Sequence, residues 1–357
     1  MGYCSGRSYI SSSLQEYSAW LSLGSSYEQT SRILTRQMGE QVLSDQSIYQ
    51  IISTKAQQVS RVAKAEALGV LEQTDMPCIQ SQIDLYDQKS EEVLLFEDGI
   101  QVKGQKLNRL RKATIAIDEF STDGLSTDKV CDNRNTKRGK TKRYTTDIVS
   151  LQRKDGSYLH FTNDLEDQVD LCVYIKAAIC AEYSNHKELS VVSIIDGAST
   201  IRRHLKAALG EKVVYILDWY HLRKKCNELL SMIAFGRAHR EQLATHLLHL
   251  CWMGQVHQAI EYLKALSKVR NVNKHQELIK YLTKHQTAII NYEKRQQAGK
   301  TIGSGRMESV VNEAIGRRQK DNGMAWSQKG SKSLAILKIQ YLNQQWDKWW
   351  TPNIHSS

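Results

Sequence analysis

No stretch of the 357 residues stays apolar for the roughly 18 positions that a membrane-spanning helix requires. Met1 to Trp20 has neither a basic n-region nor an apolar h-region, so no secretory leader is expected. Seven cysteines, at 4, 78, 131, 172, 180, 226 and 251, never form a C-x-x-C pair. That scatter argues against a zinc knuckle and fits thiols kept reduced in a cytosol. The chain also lacks a G-x-G-x-x-G loop, a Walker phosphate loop and a nucleophile triad, which leaves nucleotide-driven and acyl-transfer enzymes unsupported.

What the chain has in excess is positive charge. Forty-nine Lys and Arg face thirty-eight Asp and Glu, a formal net charge of +11. Such a surface favours a polyanionic partner through counterion release, without fixing a fold. Mean hydropathy is −0.49 and 41% of residues are apolar, ordinary values for a soluble protein with a buried core.

The periodicity of the apolar residues changes along the chain. Residues 1–62 read as small helices. Ser26 to Gly39 carries Tyr27, Thr30, Leu34 and Met38 at helical spacing, and Ser44 can cap a second helix bearing Ile48, Ile51, Ile52 and Val59. Two helices broken by a glycine suit a helix-turn-helix, with Gln46, Ser47, Gln50 and Lys55 as groove-facing candidates; a plain helical hairpin gives the same pattern. Residues 63–90, containing Pro77, read as a connector. From Glu91 the period becomes that of strands: Glu91 to Gln105, Ala113 to Phe120, and a hairpin from Arg143 to Phe161 turning at Lys154-Asp155-Gly156. Helix is expected from about Leu165 to Tyr183, strand at Leu189 to Gly197, helix at Ile201 to Leu209 and strand at Lys212 to His221. This order describes a mixed sheet flanked by helices, as an RNase H-like α/β core requires, and assigns residues 91–221 to its first part. Residues 222–300 read as an all-helical insertion, and 301–350 as the C-terminal helical part of the core. Trp346, Trp349 and Trp350 are expected to pack a closing helix.

Three acids stand out by their setting. Asp98 lies inside an apolar strand, Asp196 ends the run "VVSIID", and Glu308 follows a Gly-Ser-Gly turn at the start of a helix. Carboxylates at strand ends, joined by one from a packing helix, suit a pair of divalent ions about 4 Å apart. Asp-Gly is equally a common turn dipeptide, so neither aspartate alone is informative. Hard oxygen donors point to Mg²⁺, with Mn²⁺ able to substitute.

"DGAST" at Asp196, "YILDWYHLRKKCNELL" at Tyr215 and "IGSGRMESVVNEAIGRRQKDNGMAWSQKGSKSLAILK" at Ile302 resemble the bacterial insertion-sequence DDE transposases. The likeness is to the group related to Mutator-like elements, where a helical insertion separates the second aspartate from the glutamate. It covers roughly 91–350. It implies a cytoplasmic, nucleoid-associated enzyme that assembles as a homo-oligomer on an element's terminal repeats, engages target DNA, and cleaves and joins strands with Mg²⁺. By the resemblance the second aspartate is Asp196 and the glutamate Glu308. The first is Asp98, or Asp118 in "IAIDEF" as the alternative. Asp218, His221 and Asn312 fall at auxiliary positions. A catalytically inactive DNA-binding regulator and a structure-specific RNase H-like nuclease are the competing readings.

Basic residues cluster around these acids. Lys103, Lys106, Arg109, Arg111 and Lys112 precede the second strand candidate; Arg134, Lys137, Arg138, Lys140, Lys142 and Arg143 fall before the hairpin; Arg306, Arg317, Arg318, Lys320 and Lys329 lie near Glu308. Phosphate contacts from such clusters position DNA rather than read it. Trp326 is a candidate for base stacking, or else a core anchor. Neutralising Arg134, Lys137, Arg138, Lys140, Lys142 and Arg143 together should weaken binding to every DNA sequence. It should also flatten log K against log salt by roughly 0.9 per lost phosphate contact. An unchanged slope in a salt titration would remove this loop from the DNA surface.

Overall fold

The computed structural model describes residues 10–105, 142–165, 171–197, 199–320 and 324–350. The expected strand Ala113 to Phe120, with Asp118, lies outside the described residues, as do Lys106, Arg109, Arg111, Lys112, Arg134, Lys137, Arg138 and Lys140. No helix among the described residues is long and apolar enough to cross a membrane.

Three helices come first: α1 (Ser12–Ser22), α2 (Tyr27–Met38) and α3 (Asp45–Gln73). The capping signals act as their residue types dictate. Ser26 and Gln29 form a reciprocal capping box at α2, Gly39 ends it in the left-handed conformation at φ 82°, and Ser44 caps α3. Expected to end near Val62, α3 instead runs 29 residues and continues through the first part of the expected connector. Its far half packs on later helices, so tertiary burial extends it where its own apolar pattern fades.

The sheet follows. β1 (Cys78–Gln80), β2 (Val93–Lys103), β3 (Arg143–Gln152), β4 (Tyr158–Thr162), β5 (Glu188–Ile195) and β6 (Val214–Leu217) are interleaved with α4 (Leu171–Tyr183) and α5 (Ser199–Leu209). β4, β3, β2 and β5 lie side by side, and the opposite edge of β5 carries β1 and then β6. β3 runs antiparallel to β2 and β4, whereas β2, β5 and β6 are parallel. This is a mixed α/β core of RNase H-like arrangement.

Alternation along the strands sends Val93, Leu95, Val149, Leu151 and Val191 to one face, against α4 and α5. Leu94, Phe96, Ile148, Val192, Ile194 and Ile216 face the other way, into a core shared with the N-terminal helices, the insertion and the C-terminal helices. The insertion comprises α6 (Trp219–Ile233), α7 (Arg237–Trp252), α8 (Val256–Lys264), α9 (Val272–His285) and α10 (Tyr292–Gln297). Then come α11 (Gly305–Val311), a π-helical stretch at Asn312–Lys320, α12 (Gln328–Leu342) and α13 (Trp346–Trp350).

The insertion is fastened where it leaves and where it returns. At its root Trp219 packs on Trp252 and Tyr292, with centroids 4.8 and 5.1 Å away, and the Tyr292 hydroxyl donates to Leu217 O at 2.7 Å. At its return Arg295, fully buried, reaches Glu92 with Nη2 at 2.5 Å and Nη1 at 3.1 Å, and Lys300 Nζ joins the same carboxylate at 3.1 Å. Removing one partner of a buried pair strands the other charge. Glu92→Gln should therefore cost about 3–5 kcal/mol of unfolding free energy in urea titrations; an unchanged midpoint would mean that Arg295 and Lys300 do not depend on this carboxylate.

Candidate metal-and-DNA site

The site grows out of strand register. Phe96 lies opposite Ile194, and Ile194 opposite Ile216. Two residues further on, the same face carries Asp98, Asp196 and Asp218: Asp196 and Asp218 directly follow β5 and β6, and Asp98 lies midway along β2, two residues past its last pairing with β5. The Asp218 N–H still donates to Ile195 O at 2.8 Å, so the ladder persists to that level. After Asp196 the chain turns sharply at Gly197, φ 96°, a left-handed conformation that favours glycine and where a side chain would press closely on His285 and Leu217.

Asp218 is buried, 1% exposed, and its carboxylate is engaged on both oxygens. Oδ1 accepts the His221 N–H at 2.7 Å, capping α6, and lies 3.2 Å from His221 Nδ1. Oδ2 accepts the Ser304 N–H, which draws in the turn ahead of α11. Burial works against ionisation here, yet the hydrogen bonds from His221 and Ser304 prevail and hold the Asp218 carboxyl below its ordinary range.

His221 links this buried acid to the third acid. Its Nε2 lies 3.7 Å from Glu308 Oε1. The hydrogen bond to Asp218 raises its pKa above 6.5 against the opposing effect of burial, helped by the charges of Asp218, Glu308 and Asp196. Asp98 is half-buried, and its Oδ1 accepts the Gly99 N–H at 2.8 Å. Burial raises its pKa first of all, with Asp196 and Glu308 adding to the rise while Gly99 and His221 oppose it. Asp98, Asp196, His221 and Glu308 thus share one electrostatic neighbourhood. Among the described residues, no group of three or more His, Cys, Asp or Glu is drawn together tightly enough to hold a metal ion.

Other candidates take different places. Gln46 and Gln50 are exposed on α3, whereas Ser47 bonds back to Ser44. Lys55 donates to Trp349 O at 2.8 Å and lies 4.4 Å over the Trp350 ring. Arg318, expected at a DNA surface, and Trp326, a candidate for base stacking or a core role, are buried at 4% and 5% exposure. The guanidinium sits between Trp326 and Tyr27, 4.8 and 5.5 Å from their ring centres, and donates to Ser22 O at 3.1 Å. Aromatic faces stabilise this buried cation, which joins the N-terminal helices to the π-helix behind Glu308. Trp326 is a core anchor, its indole donating to Gln319 O at 3.0 Å.

Lys103 and Arg143 stand opposite each other and exposed at the far end of β2 and β3, with exposed Lys142 beside them. Arg306 lies 4.7 Å over the Tyr158 ring, and Arg317 and Lys320 are exposed on the π-helix. Asn312 packs against Gly316 four residues on.

Two residues near the acids were not singled out from the sequence. His285, buried beneath Gly197, has its pKa lowered to about 4 by burial, with Lys284 and Arg202 contributing, so it is neutral. Ser304 supplies the clasping N–H. Leu278, Leu282 and His285 share one face of α9, so the periodicity marked His285 as inward, without saying what it would meet.

The family described as "Uncharacterised protein family (UPF0236)" matches residues 127–348, and the chain belongs to it. No curated protein matches the chain.

A histidine whose pKa is raised on folding contributes stability that is complete below its ordinary 6.5 and lost as pH rises through the raised value. Asp218, held low, contributes above the ordinary carboxylate range and loses that contribution as pH falls through its depressed value. The clasp is therefore strongest between the two, with Asp218 ionised and His221 protonated. In metal-free buffer the His221 ring should titrate above 6.5 by NMR, and Asp218→Asn should lower that midpoint. Identical titration in both proteins would dissociate the two side chains.

Proposed function

We propose that this member of UPF0236 is a metal-dependent DDE transposase that binds the terminal repeats of a mobile element and catalyses cleavage and joining of their strands. The observation that carries this reading is the registered placement of Asp98 and Asp196 on one face of two paired parallel strands, with Glu308 sharing their electrostatic neighbourhood. Double-stranded element ends and target DNA would be its partners, and homo-oligomeric assembly in the cytoplasm its working form.

The donors fit the chemistry of a hard divalent cation. All three are carboxylates, and Asp98 is partly desolvated beside two further negative groups, a repulsion that a cation would relieve. Asp98, Asp196 and Glu308 would hold Mg²⁺ or Mn²⁺; such ions activate a water or a 3′-hydroxyl and stabilise the leaving oxygen. The chain's own residues contribute positioning and charge. Asp218 fixes the start of α6 and the turn before Glu308, so His221 and Glu308 meet at the same edge. Protonated His221 presents an N–H beside Glu308, suited to a phosphate oxygen. Lys103, Lys142, Arg143, Arg306, Arg317 and Lys320 supply cations for the DNA backbone, while exposed Gln46 and Gln50 remain available for base edges.

The test is a set of purified, folded variants assayed on duplex DNA with Mg²⁺ and with Mn²⁺. Asp98→Asn, Asp196→Asn and Glu308→Gln should each abolish cleavage and joining while leaving metal-free DNA affinity nearly intact, because an amide keeps the shape and loses the charge. Near-normal cleavage by Glu308→Gln would end the Asp-Asp-Glu assignment. Activity in Asp98→Asn with its loss in Asp118→Asn would move the first acid to position 118.

A further inference from the structure

The end of the helical insertion remote from the acids has a surface that the fold itself does not use. Phe235, in the link between α6 and α7, is 59% exposed, and Val272, at the start of α9, is 57% exposed. Both are held in place. The Phe235 N–H donates to His239 Nδ1 at 3.3 Å and its ring stacks on the His239 ring at 6.0 Å and 8°. Arg270 N donates to Ile233 O at 2.8 Å, and its guanidinium donates to Met232 O at 3.3 Å and Ser231 O at 3.1 Å. These bonds seal the end of α6 and bring the segment before Val272 alongside Phe235.

Basic residues follow Phe235 and precede Val272 in the chain. Arg237, Arg240, Lys268 and Arg270 come from the two segments that meet here. Glu241 offsets part of the charge through its 2.8 Å contact with Arg237. An exposed phenyl ring beside arginines and a lysine repels a basic partner and matches the stacked bases and flanking phosphates of a duplex. One Phe and one Val are also far short of the roughly 800 Å² per partner that a stable protein–protein interface buries.

We infer that this surface grips duplex DNA beyond the acid edge, with Phe235 inserted at a base step and these cations on the phosphates. Apolar wedges of this kind partly unstack a step and kink the duplex. The inference rests on the transposase reading. It adds a second point of contact, set by the length of α6. That helix starts at the Asp218 cap and runs 15 residues, about 22 Å at ~1.5 Å per residue. With α6 lying along a B-form duplex, this corresponds to roughly six to seven base pairs at ~3.4 Å each.

The full chain should be bound, in metal-free buffer, to duplexes taken from the DNA flanking its own coding sequence, with 2-aminopurine placed at successive positions. Fluorescence should rise several-fold at one step, about six to seven base pairs from the bond cut when Mg²⁺ is added. Phe235→Ala should abolish that rise and Phe235→Leu should retain most of it. Arg237→Gln with Arg240→Gln should lower the salt slope of binding by up to roughly 0.9 per cation. Binding and cleavage with no fluorescent step at any position would overturn the wedge and leave the transposase reading standing. A wild-type chain that neither binds nor cuts would remove the premise itself. Should Phe235→Ala change the sedimenting mass and not the DNA signal, the surface belongs to a second copy and the inference fails.

Discussion

Asp218 keeps its negative charge in a place that solvent does not reach, and the arrangement around the acids follows from how that charge is satisfied. A buried carboxylate is costly unless donors surround it. Here they come from two parts of the chain: the first turn of α6, through His221, and the turn before α11, through Ser304. The positive end of the α6 dipole adds to their effect. One anion therefore fixes where the insertion departs and where the helix bearing Glu308 arrives, although 86 residues separate Asp218 from Ser304.

Much of this architecture was legible in the residues. The strands declared themselves by alternation, the hairpin by its Asp-Gly turn, and α2 and α3 by Ser26, Ser44 and Gly39, because each signal is local and its physics is completed within a few residues. Asp98 and Asp196 were visible for the same reason: a charge at the end of an apolar run is conspicuous. The role of Asp218 was not, since a strand-ending aspartate reads the same whether it starts a turn or anchors a distant loop. His285 and Arg318 were harder still. An inward histidine on α9 and an arginine in a basic run reveal their neighbours only when the helices are packed, and the aromatic faces that accept Arg318 lie at positions 27 and 326. Helix α3 continues past its expected end because Ala63, Ala67, Val70 and Leu71 in its second half pack into the same core as α4.

Arg318 also relates the N-terminal helices to the acids. It belongs to the nine-residue π-helical stretch that continues directly from the helix of Glu308, and it donates to the last residue of α1. The wider winding of a π-helix shifts which side chains face inward relative to an α-helix of the same sequence. In this chain it leaves Arg317 and Lys320 exposed while Arg318 and Gln319 are buried. The surface carrying Gln46 and Gln50 and the helix carrying Glu308 consequently belong to one continuous packed body.

The two fastenings of the insertion, at Asp218–Ser304 and at Arg295–Glu92–Lys300, have a consequence for how this architecture can diverge. A segment whose ends are already pinned contributes to chain entropy only through the logarithm of its length, so doubling it costs about 0.6 kcal/mol. Helices can then be gained or lost in the part of the insertion away from Trp219, Trp252, His285 and Tyr292 with little penalty to the sheet, provided that both fastenings remain. Among relatives, the length of this region should vary far more freely than the identities of Asp218, Glu92 and Arg295, making the insertion the part of the molecule where a common core can acquire different reach.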